Sequence, residues 1–333
     1  MITFTRLADI RNIEKTALAM GSFDGMHKGH TALIGRAVSG AARSGLKSAV
    51  FTFSNHPKNA LAGKIVVRNI QYPDDKAATI EALGVDYLFS LPFTERICRM
   101  RRESFVEELL RGAFNMAEAF CGFNFHYGYR AEGDAESLRA SGAALGFPVH
   151  VMDAVRADGT IVSSSLIRTL IAEGRMEECA RFLGRNYFIK GVVIEGNRVG
   201  RTFGFPTLNM HLDAGMSVPA HGVYVTECGV SGRRLAGVTN VGVRPTVDGE
   251  GRRLVETHLL DFSGELYGQS VCVAFLKKLR EERRFENTEC LVRQIEADCK
   301  EARAYHETPG KRDGIDRLSY EKGGVRNGTD AGL

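Results

Sequence analysis

The first half of the chain alternates short apolar runs with longer stretches in which apolar residues recur every three or four positions. The short runs are typical of strands buried on both faces, and the longer stretches are typical of amphipathic helices. Together they predict β-α-β units in a doubly wound α/β domain. The expected strands are residues 17–22, 48–53, 87–91, 119–122 and 149–152, and the expected helices include 31–44, 74–83 and 102–114.

The texture of the sequence changes near Gly184. Two short helical patterns, 166–173 and 176–183, come before this glycine, and short alternating runs separated by glycines follow it as far as residue 279. Such runs predict a small antiparallel β-barrel. Its expected strands are residues 187–194, 223–228, 235–240, 255–261 and 271–276.

The end of the chain is expected to contain one more helix. Residues 288–305 place apolar side chains along one face, which predicts a helix that packs across the barrel. Residues 307–333 show little apolar periodicity, and we expect them to form a disordered tail. The predicted domains are therefore 1–184 and 185–306.

Composition and charge exclude several classes of function. The 44 basic and 40 acidic residues give a formal charge of +4, which is too balanced to indicate a nucleic-acid-binding surface. Charged residues interrupt the first 20 positions, and no apolar run is long enough to span a bilayer, so neither a signal peptide nor a membrane partner is expected. The seven cysteines form no CxxC pair and predict reduced thiols. We expect a soluble, cytoplasmic protein.

The segment GSFDGMHKGH, residues 21–30, lies where a predicted strand passes into a helix. Glycines at such a junction let the backbone approach phosphates, and histidines three residues apart face the same way on the first turn. The alternative is an ordinary helix start with two unremarkable histidines. The segment resembles the ATP-binding GxFDxxHxGH motif of nucleotidylyltransferases, which have a Rossmann-like fold. The resemblance implies ATP contacts and stabilisation of the leaving pyrophosphate by Gly21, Phe23, Asp24, His27, Gly29 and His30.

Three further segments resemble parts of bacterial FAD synthetases: FTFSNHP at 51–57, GFNFHYGYRAEGD at 122–134 and VSSSLIR at 162–168. The resemblance implies that His56 and Asn124 contact the flavin, and that Ser164 and Arg168 contact ATP phosphates. Each residue has a local alternative. Histidine and asparagine serve equally in turns, and a serine followed by an arginine is a common helix N-cap with a surface cation.

The segment GNRVGRTFGFPTLN, residues 196–209, is not a Walker A loop, because its spacing is one residue short and Pro206 would interrupt the following helix. It resembles the riboflavin kinase signature GRxxGFPTAN. That resemblance implies that Thr207 and Asn209 offer oxygens to Mg²⁺, a hard cation. It also implies that the loop folds over ATP through Gly200, Arg201 and Gly204.

Two later segments, VETHLLDF at 255–262 and LREERRF at 279–285, resemble the same kinase domain. Phosphorylation of riboflavin requires a base for the 5′-hydroxyl, and the resemblance assigns that role to Glu256. The alternative is a strand carboxylate that faces solvent. Arg280 and Glu282 are expected at the flavin, or else in a surface ion pair.

The resemblance covers roughly residues 10–306 and keeps the motifs of both halves in order, so the chain resembles the bacterial bifunctional riboflavin kinase/FAD synthetases. It implies ATP and Mg²⁺ use, with FMN made from riboflavin by the C-terminal domain and FAD made from FMN by the N-terminal domain. One alternative is another nucleotidylyltransferase whose barrel only binds, and the intact kinase signature argues against it. The other is a flavin-sensing regulator or carrier, but no helix-turn-helix pattern accompanies the two domains.

Overall fold

The computed structural model describes three stretches of the chain, residues 1–195, 203–244 and 252–308. Its contacts divide the chain into two compact units, residues 1–164 and 165–333. The tail expected at 307–333 lies outside the described residues from position 309 onward. Within the described part of the chain, no helix is long and apolar enough to cross a membrane.

The first unit, which the structure describes throughout, contains ten strands, six in one parallel sheet and four in two small ribbons. In chain order its strands are β1 (Ile2–Phe4), β2 (Thr16–Met20), β3 (Lys47–Phe53), β4 (Tyr87–Leu91), β5 (Met116–Gly122), β6 (His126–Tyr127), β7 (Gly133–Asp134), β8 (Val149–Met152), β9 (Arg156–Ala157) and β10 (Thr160–Ile161). The large sheet has the order β1-β4-β3-β2-β5-β8, and the pairs β6–β7 and β9–β10 form small antiparallel ribbons.

Helices connect these strands. They are α1 (Lys28–Ser44), α2 (Pro57–Ala62), α3 (Pro73–Ala82), α4 (Glu95–Cys98), α5 (Arg102–Ser104), which continues as a π-helical segment (Phe105–Ala113), and α6 (Ala135–Leu145). Short 3₁₀ turns lie at Leu7–Asp9 and Tyr129–Ala131. The doubly wound α/β fold predicted from the apolar runs is confirmed, and all five predicted strands are present.

Strand β2 shows why the runs are apolar throughout. Its residues Ala17 and Ala19 pack into one core with α1, whereas Leu18 and Met20 pack into a second core on the opposite face of the sheet. Because both faces are covered, no polar alternation remains. The strand order reverses around β2, and in open α/β sheets such a reversal places the ligand crevice at the carboxyl ends of the strands.

The second unit contains two helices, a barrel and a final helix. In chain order these are α7 (Ser164–Glu173), α8 (Met176–Leu183), β11 (Tyr187–Ile194), β12 (Thr207–His211), β13 (Gly222–Val230), β14 (Arg233–Arg244), β15 (Arg252–Leu259), β16 (Ser270–Arg280) and α9 (Thr288–Glu307). Helix α7 begins at the last residue of the first unit. The strands close in the order β11-β12-β15-β14-β13-β16 with every pair antiparallel.

The predicted barrel is therefore confirmed, but with a sixth strand. Strand β12 contains the TLN residues of the kinase signature, where the sequence analysis predicts no strand. Helix α9 packs against the barrel as expected, with Cys299 and Ala302 in one apolar cluster with Val225 and Val238. The Asn287 side chain caps the helix by accepting a hydrogen bond from the backbone N–H of Cys290 at 2.9 Å.

Candidate active sites

The GSFDGMHKGH loop lies at the carboxyl end of β2, as the strand order requires. Its backbone turns sharply, with positive φ at Phe23 (48°) and Met26 (40°), and the Phe23 ring is fully buried. A Cβ at Gly21 would lie 3.1 Å from that ring. The side chain of Phe23 thus anchors the loop in the core, and the ATP contacts expected of Gly21 and Phe23 stay predictions.

The two histidines of the loop are stacked. Their ring centroids are 3.5 Å apart with an interplanar angle of 18°, and Nδ1 of His27 accepts the backbone N–H of His30 at 3.3 Å. A Cβ at Gly29 would lie 3.2 Å from the His27 ring, which explains a glycine there. Nδ1 of His30 is buried and has no hydrogen-bond partner among the described residues. The two imidazoles therefore lie close together, as predicted.

Burial keeps these imidazoles neutral. It lowers the pKa of His27 to about 4, and it lowers the pKa of His30 well below the usual value, with smaller contributions from the neighbouring His27 and Lys76 charges. At neutral pH both rings can donate N–H hydrogen bonds without carrying charge. They can therefore stabilise an anion as aligned dipoles rather than as cations.

Asp24 holds several chain segments together. Its carboxylate accepts the backbone N–H of Ile70 at 3.0 Å and that of Gln71 at 3.4 Å. Its backbone carbonyl accepts the Ser164 hydroxyl at 2.9 Å. These contacts fix the loop, whereas the ATP contacts expected of Asp24 and Ser164 stay predictions. Arg168 lies on α7 in the second unit, and its phosphate contact is likewise a prediction.

A pocket opens beside this loop. Its lining residues are Ser22, Asp24, Phe53, Ser54, Asn55, His56, Pro57, Asn69, Gln71, Pro73 and Lys76. His56 therefore reaches the pocket, and it also caps α2 because its Nδ1 accepts the Lys58 backbone N–H at 3.2 Å. Asn124 is not among the lining residues; it is exposed in a turn closed by the Phe125 N–H and the Gly122 carbonyl at 3.0 Å.

The pocket contains a cation that the sequence analysis missed. Nζ of Lys76, in the first turn of α3, donates to the Phe53 carbonyl at 3.0 Å, to the Thr52 hydroxyl at 3.3 Å and to the Ser22 carbonyl at 3.4 Å. Nothing in the local sequence singles it out, because Asp74 and Asp75 precede it as at any solvated helix start. Only the fold brings it to the ends of β2 and β3.

The candidate site of the second unit is a row of polar side chains across three strands. Glu256 on β15 is the direct partner of Asn209 on β12 and of Asn240 on β14. Side chains that face one another across a ladder lie on the same face of the sheet. The adjacent residues Thr257 and Thr239 are fully buried in the barrel. The row Asn209–Glu256–Asn240 consequently lies on the outer face of the barrel.

A chain of buried hydroxyls supports this row from inside. Thr239 shares hydrogen bonds with Thr226 at 2.7 Å and with Thr257 at 2.8 Å. Thr257 is next to Glu256 in β15, so the hydroxyl chain fixes the strand that carries the carboxylate. Buried polar groups that are fully paired in this way favour one defined arrangement.

Asn209 offers an oxygen for a hard cation. Its side chain is 4% exposed, and its Oδ1 has no hydrogen-bond partner among the described residues. Thr207 lies two residues earlier on the same strand face, opposite His258. Two such oxygens suit Mg²⁺, which commonly takes one or two protein ligands and completes its shell with water and phosphate. The donors present therefore fit the expected cation.

The other residues expected in the kinase site differ in their surroundings. Glu282 accepts the Asn240 Nδ2 hydrogen bond at 3.1 Å, and a Cβ at Gly242 would clash with it. Arg280 instead forms an ion pair with Asp298 of α9, at 2.8 Å. Arg280 thus forms an ion pair, but a largely buried one rather than the surface pair of the alternative. Flavin binding stays a prediction for both residues.

The glycine-rich nucleotide loop is described only in part. Gly204 has a φ of 82°, a conformation that a side chain would oppose. Gly200 and Arg201, expected to bind ATP phosphates, lie outside the described residues.

A doubly wound unit with the GxFDxxHxGH loop at its strand reversal, followed by a barrel with an oxygen-lined outer row, defines a two-domain transferase that uses nucleoside triphosphates. Family comparisons agree with this class. Residues 9–166 match the FAD synthetase family, and residues 183–306 match the riboflavin kinase family.

Similar proteins contain the same two halves. A bifunctional riboflavin kinase/FMN adenylyltransferase from Pseudomonas fluorescens is 36% identical over 285 residues, covering 86% of this chain and 91% of the relative. Its counterpart in Bacillus subtilis (strain 168) is 36% identical, covering 87% and 92%, and that in Escherichia coli (strain K12) is 32% identical, covering 88% and 93%. The chain belongs to the family of bifunctional riboflavin kinase/FMN adenylyltransferases.

The fold is also shared with a solved structure. A protein named macrolide-efflux protein, from Streptococcus pneumoniae, superimposes with a TM-score of 0.84 and 29% identity, covering 91% of this chain and 98% of that one. The two-unit architecture is thus one already seen by experiment.

Proposed function

We propose that the chain phosphorylates riboflavin to FMN at the outer face of the barrel and adenylylates FMN to FAD beside the stacked histidines. The main support is the pairing of Glu256 with Asn209 and Asn240 in the kinase half. It places a carboxylate next to an amide oxygen that has no hydrogen-bond partner in the part of the chain that the structure describes. The two family matches support assigning adenylylation to the N-terminal half and phosphorylation to the C-terminal half.

In the kinase half, the oxygen of the riboflavin 5′-hydroxyl attacks the γ-phosphorus of ATP, Glu256 accepts the hydroxyl proton, and ADP leaves as the β–γ bond breaks. Thr207 and Asn209 would hold Mg²⁺, which when bound withdraws negative charge from the phosphates. Asn240 lies on the other side of Glu256 and is itself held by Glu282 at 3.1 Å. Asn209 and Asn240 thus flank Glu256 on the two neighbouring strands.

In the adenylylation half, a phosphate oxygen of FMN attacks the α-phosphorus of ATP and pyrophosphate leaves. The nucleophile is already an anion, so no base is required. The neutral N–H groups of His27 and His30 donate to the phosphate oxygens as negative charge moves to the leaving group. The stacking of the rings, at 3.5 Å, fixes their direction before substrate arrives.

Two substitutions test this division of labour. Glu256→Gln keeps size and hydrogen bonding but removes the base, so FMN formation should fall by about 10² to 10⁴. His30→Ala should lower FAD formation from supplied FMN by about 10² to 10³, the loss typical of one oriented donor. Each variant should leave the other reaction near the parent rate, as measured by chromatography of the products with ATP and Mg²⁺.

Glu286→Gln, at an exposed position after the barrel, is the matched control and should leave both rates unchanged. The proposal would be wrong if Glu256→Gln phosphorylated riboflavin within a few-fold of the parent. Equal losses of both activities in either variant would indicate misfolding or a shared nucleotide site.

A further inference from the structure

Lys76 is partly buried at the carboxyl edge of the sheet, where the first unit should bind phosphates. Its side chain passes from α3 to the ends of β2 and β3, and its Nζ contacts the oxygens of Ser22, Thr52 and Phe53. Its position in the pocket with Asp24 and His56 means that a ligand there would meet the ammonium group.

The three acceptors of the Lys76 ammonium are all neutral. Two of these contacts, at 3.3 and 3.4 Å, are longer than the 2.7 to 2.9 Å usual for an ammonium with a carboxylate. The hydrogen bonds described for Nζ go to these three oxygens, and the Asp24 carboxylate of the same pocket interacts with the ammonium group electrostatically. The nearby Asp24 carboxylate already accepts the backbone N–H groups of Ile70 and Gln71.

Placing a cation in such surroundings is unfavourable unless an anion compensates it. Burial lowers the pKa of Lys76 to about 8, with Asp24 opposing the change, so the amine is still mostly protonated at pH 7. A neutral side chain would cap the strand ends at less cost than a buried charge. The charge is therefore better explained by a ligand than by the packing.

We propose that Lys76 binds a phosphate group of the adenylylation substrates. This inference rests on the proposed function, which brings two phosphoanions to this edge of the sheet, the triphosphate of ATP and the phosphate of FMN. The pocket that Lys76 lines also includes Ser22 and Asp24 of the GSFDGMHKGH loop, so a phosphate bound at that loop is within reach of the ammonium group. The Lys76 charge also makes a small contribution to lowering the pKa of His30. Together, the cation and the neutral imidazole pair provide charge and directed hydrogen bonds for one phosphate chain.

Kinetics of variants of the full chain test the proposal. Lys76→Met removes the charge at nearly constant length, and it should raise the KM for ATP or for FMN by about 10- to 100-fold, the range for one hydrogen bond to a charged group. Lys76→Arg should recover most of that loss, which a role in packing alone would not predict. Lys15→Met, at an exposed lysine just before β2, applies the same change at the opposite edge of the sheet and should leave both KM values unchanged.

Labelling the parent protein separates the two phosphate sources without relying on any variant to fold. An amine-reactive acylating agent at pH 8 should modify Lys76, and mass spectrometry would compare its rate with that of Lys15. Protection by a non-hydrolysable ATP analogue would assign the triphosphate, and protection by FMN alone would assign the flavin phosphate. Unchanged modification with both ligands, no modification at all, or parent KM values in folded Lys76→Met would each overturn the proposal. A parent protein that makes no FAD would instead refute the proposed function.

Discussion

The ion pair between Arg280 and Asp298 allows a strong test of whether Arg280 is structural or binds flavin. The Arg280 Nη2 lies 2.8 Å from Asp298 Oδ2, and its Nε lies 3.1 Å from both carboxylate oxygens. The two side chains are only 20% and 6% exposed. Replacing Arg280 by Met would leave the carboxylate with one described donor, the Gln294 side chain at 2.8 Å.

Breaking one partner of a buried pair costs roughly 3 to 5 kcal/mol. We expect a value near the lower limit, about 3 kcal/mol, because Gln294 still donates and the arginine is partly exposed. Hydrogen exchange of the β16 and α9 amides, followed by mass spectrometry on the full chain, should then accelerate by about 10². The double substitution R280M/D298L should recover most of the lost protection, because no unpaired charge remains.

Arg293→Met is the matched control on the same helix. Its partner Glu289 lies at 2.7 Å, but both side chains are more than 70% exposed. We therefore expect this substitution to lower the free energy of unfolding by less than about 0.5 kcal/mol. Arg280→Met with parent-like exchange and a raised KM for riboflavin would refute the reasoning. In that case the guanidinium would act on the flavin rather than on α9.

Two other predictions concern the domain boundary and pH. Helices α7 and α8 belong to the same compact unit as the barrel, and Gly174 between them lies against the Tyr224 hydroxyl. A fragment of residues 165–308 should therefore phosphorylate riboflavin and have a higher melting temperature than a fragment of residues 185–308. Equal melting temperatures would support the boundary near Gly184. Because the folded pKa of His27 lies below its unfolded value of 6.5, its contribution to stability is present above pH 6.5 and is lost as pH falls towards 4. Urea unfolding of the parent, followed by circular dichroism at pH 7 to 5, should show that the free energy of unfolding decreases as pH falls. In His27→Asn the slope of this free energy against pH should be smaller by up to about 1.4 kcal/mol per pH unit. An unchanged slope would contradict the burial of a neutral ring.

Most of the fold could be predicted because the pattern of apolar residues in each strand follows which of its faces are buried. Tyr87–Leu91 and Val149–Met152 have the predicted bounds, and β2 is recognisable because both of its faces are covered. Strand β1 was missed because three residues carry too little periodicity. Strand β12 was missed because its outer face carries Thr207 and Asn209, which resemble the polar residues of a loop.

The candidate sites were less predictable than the fold. The spacing of His27 and His30 indicates that they meet, but their neutral state depends on burial, which only the fold creates. At His30 the Phe23 ring packs against the imidazole, and the charge of Lys76, in a distant segment, contributes to lowering the pKa. Lys76 has no local signal, since its importance comes from where α3 meets the strand ends. Arg280 shows the opposite case, because a motif placed it near flavin while the partner on α9 explains its position.

The alternation along β15 limits how this half of the protein can evolve. Val255 and Thr257 fill the barrel, and Glu256 between them points outward. A single inserted or deleted residue just before Glu256 would exchange the two faces, bringing a carboxylate among the buried threonines and a valine to the outer surface. Length changes should therefore be confined to the connecting turns, or occur in pairs within the strand, in any lineage that keeps the reaction.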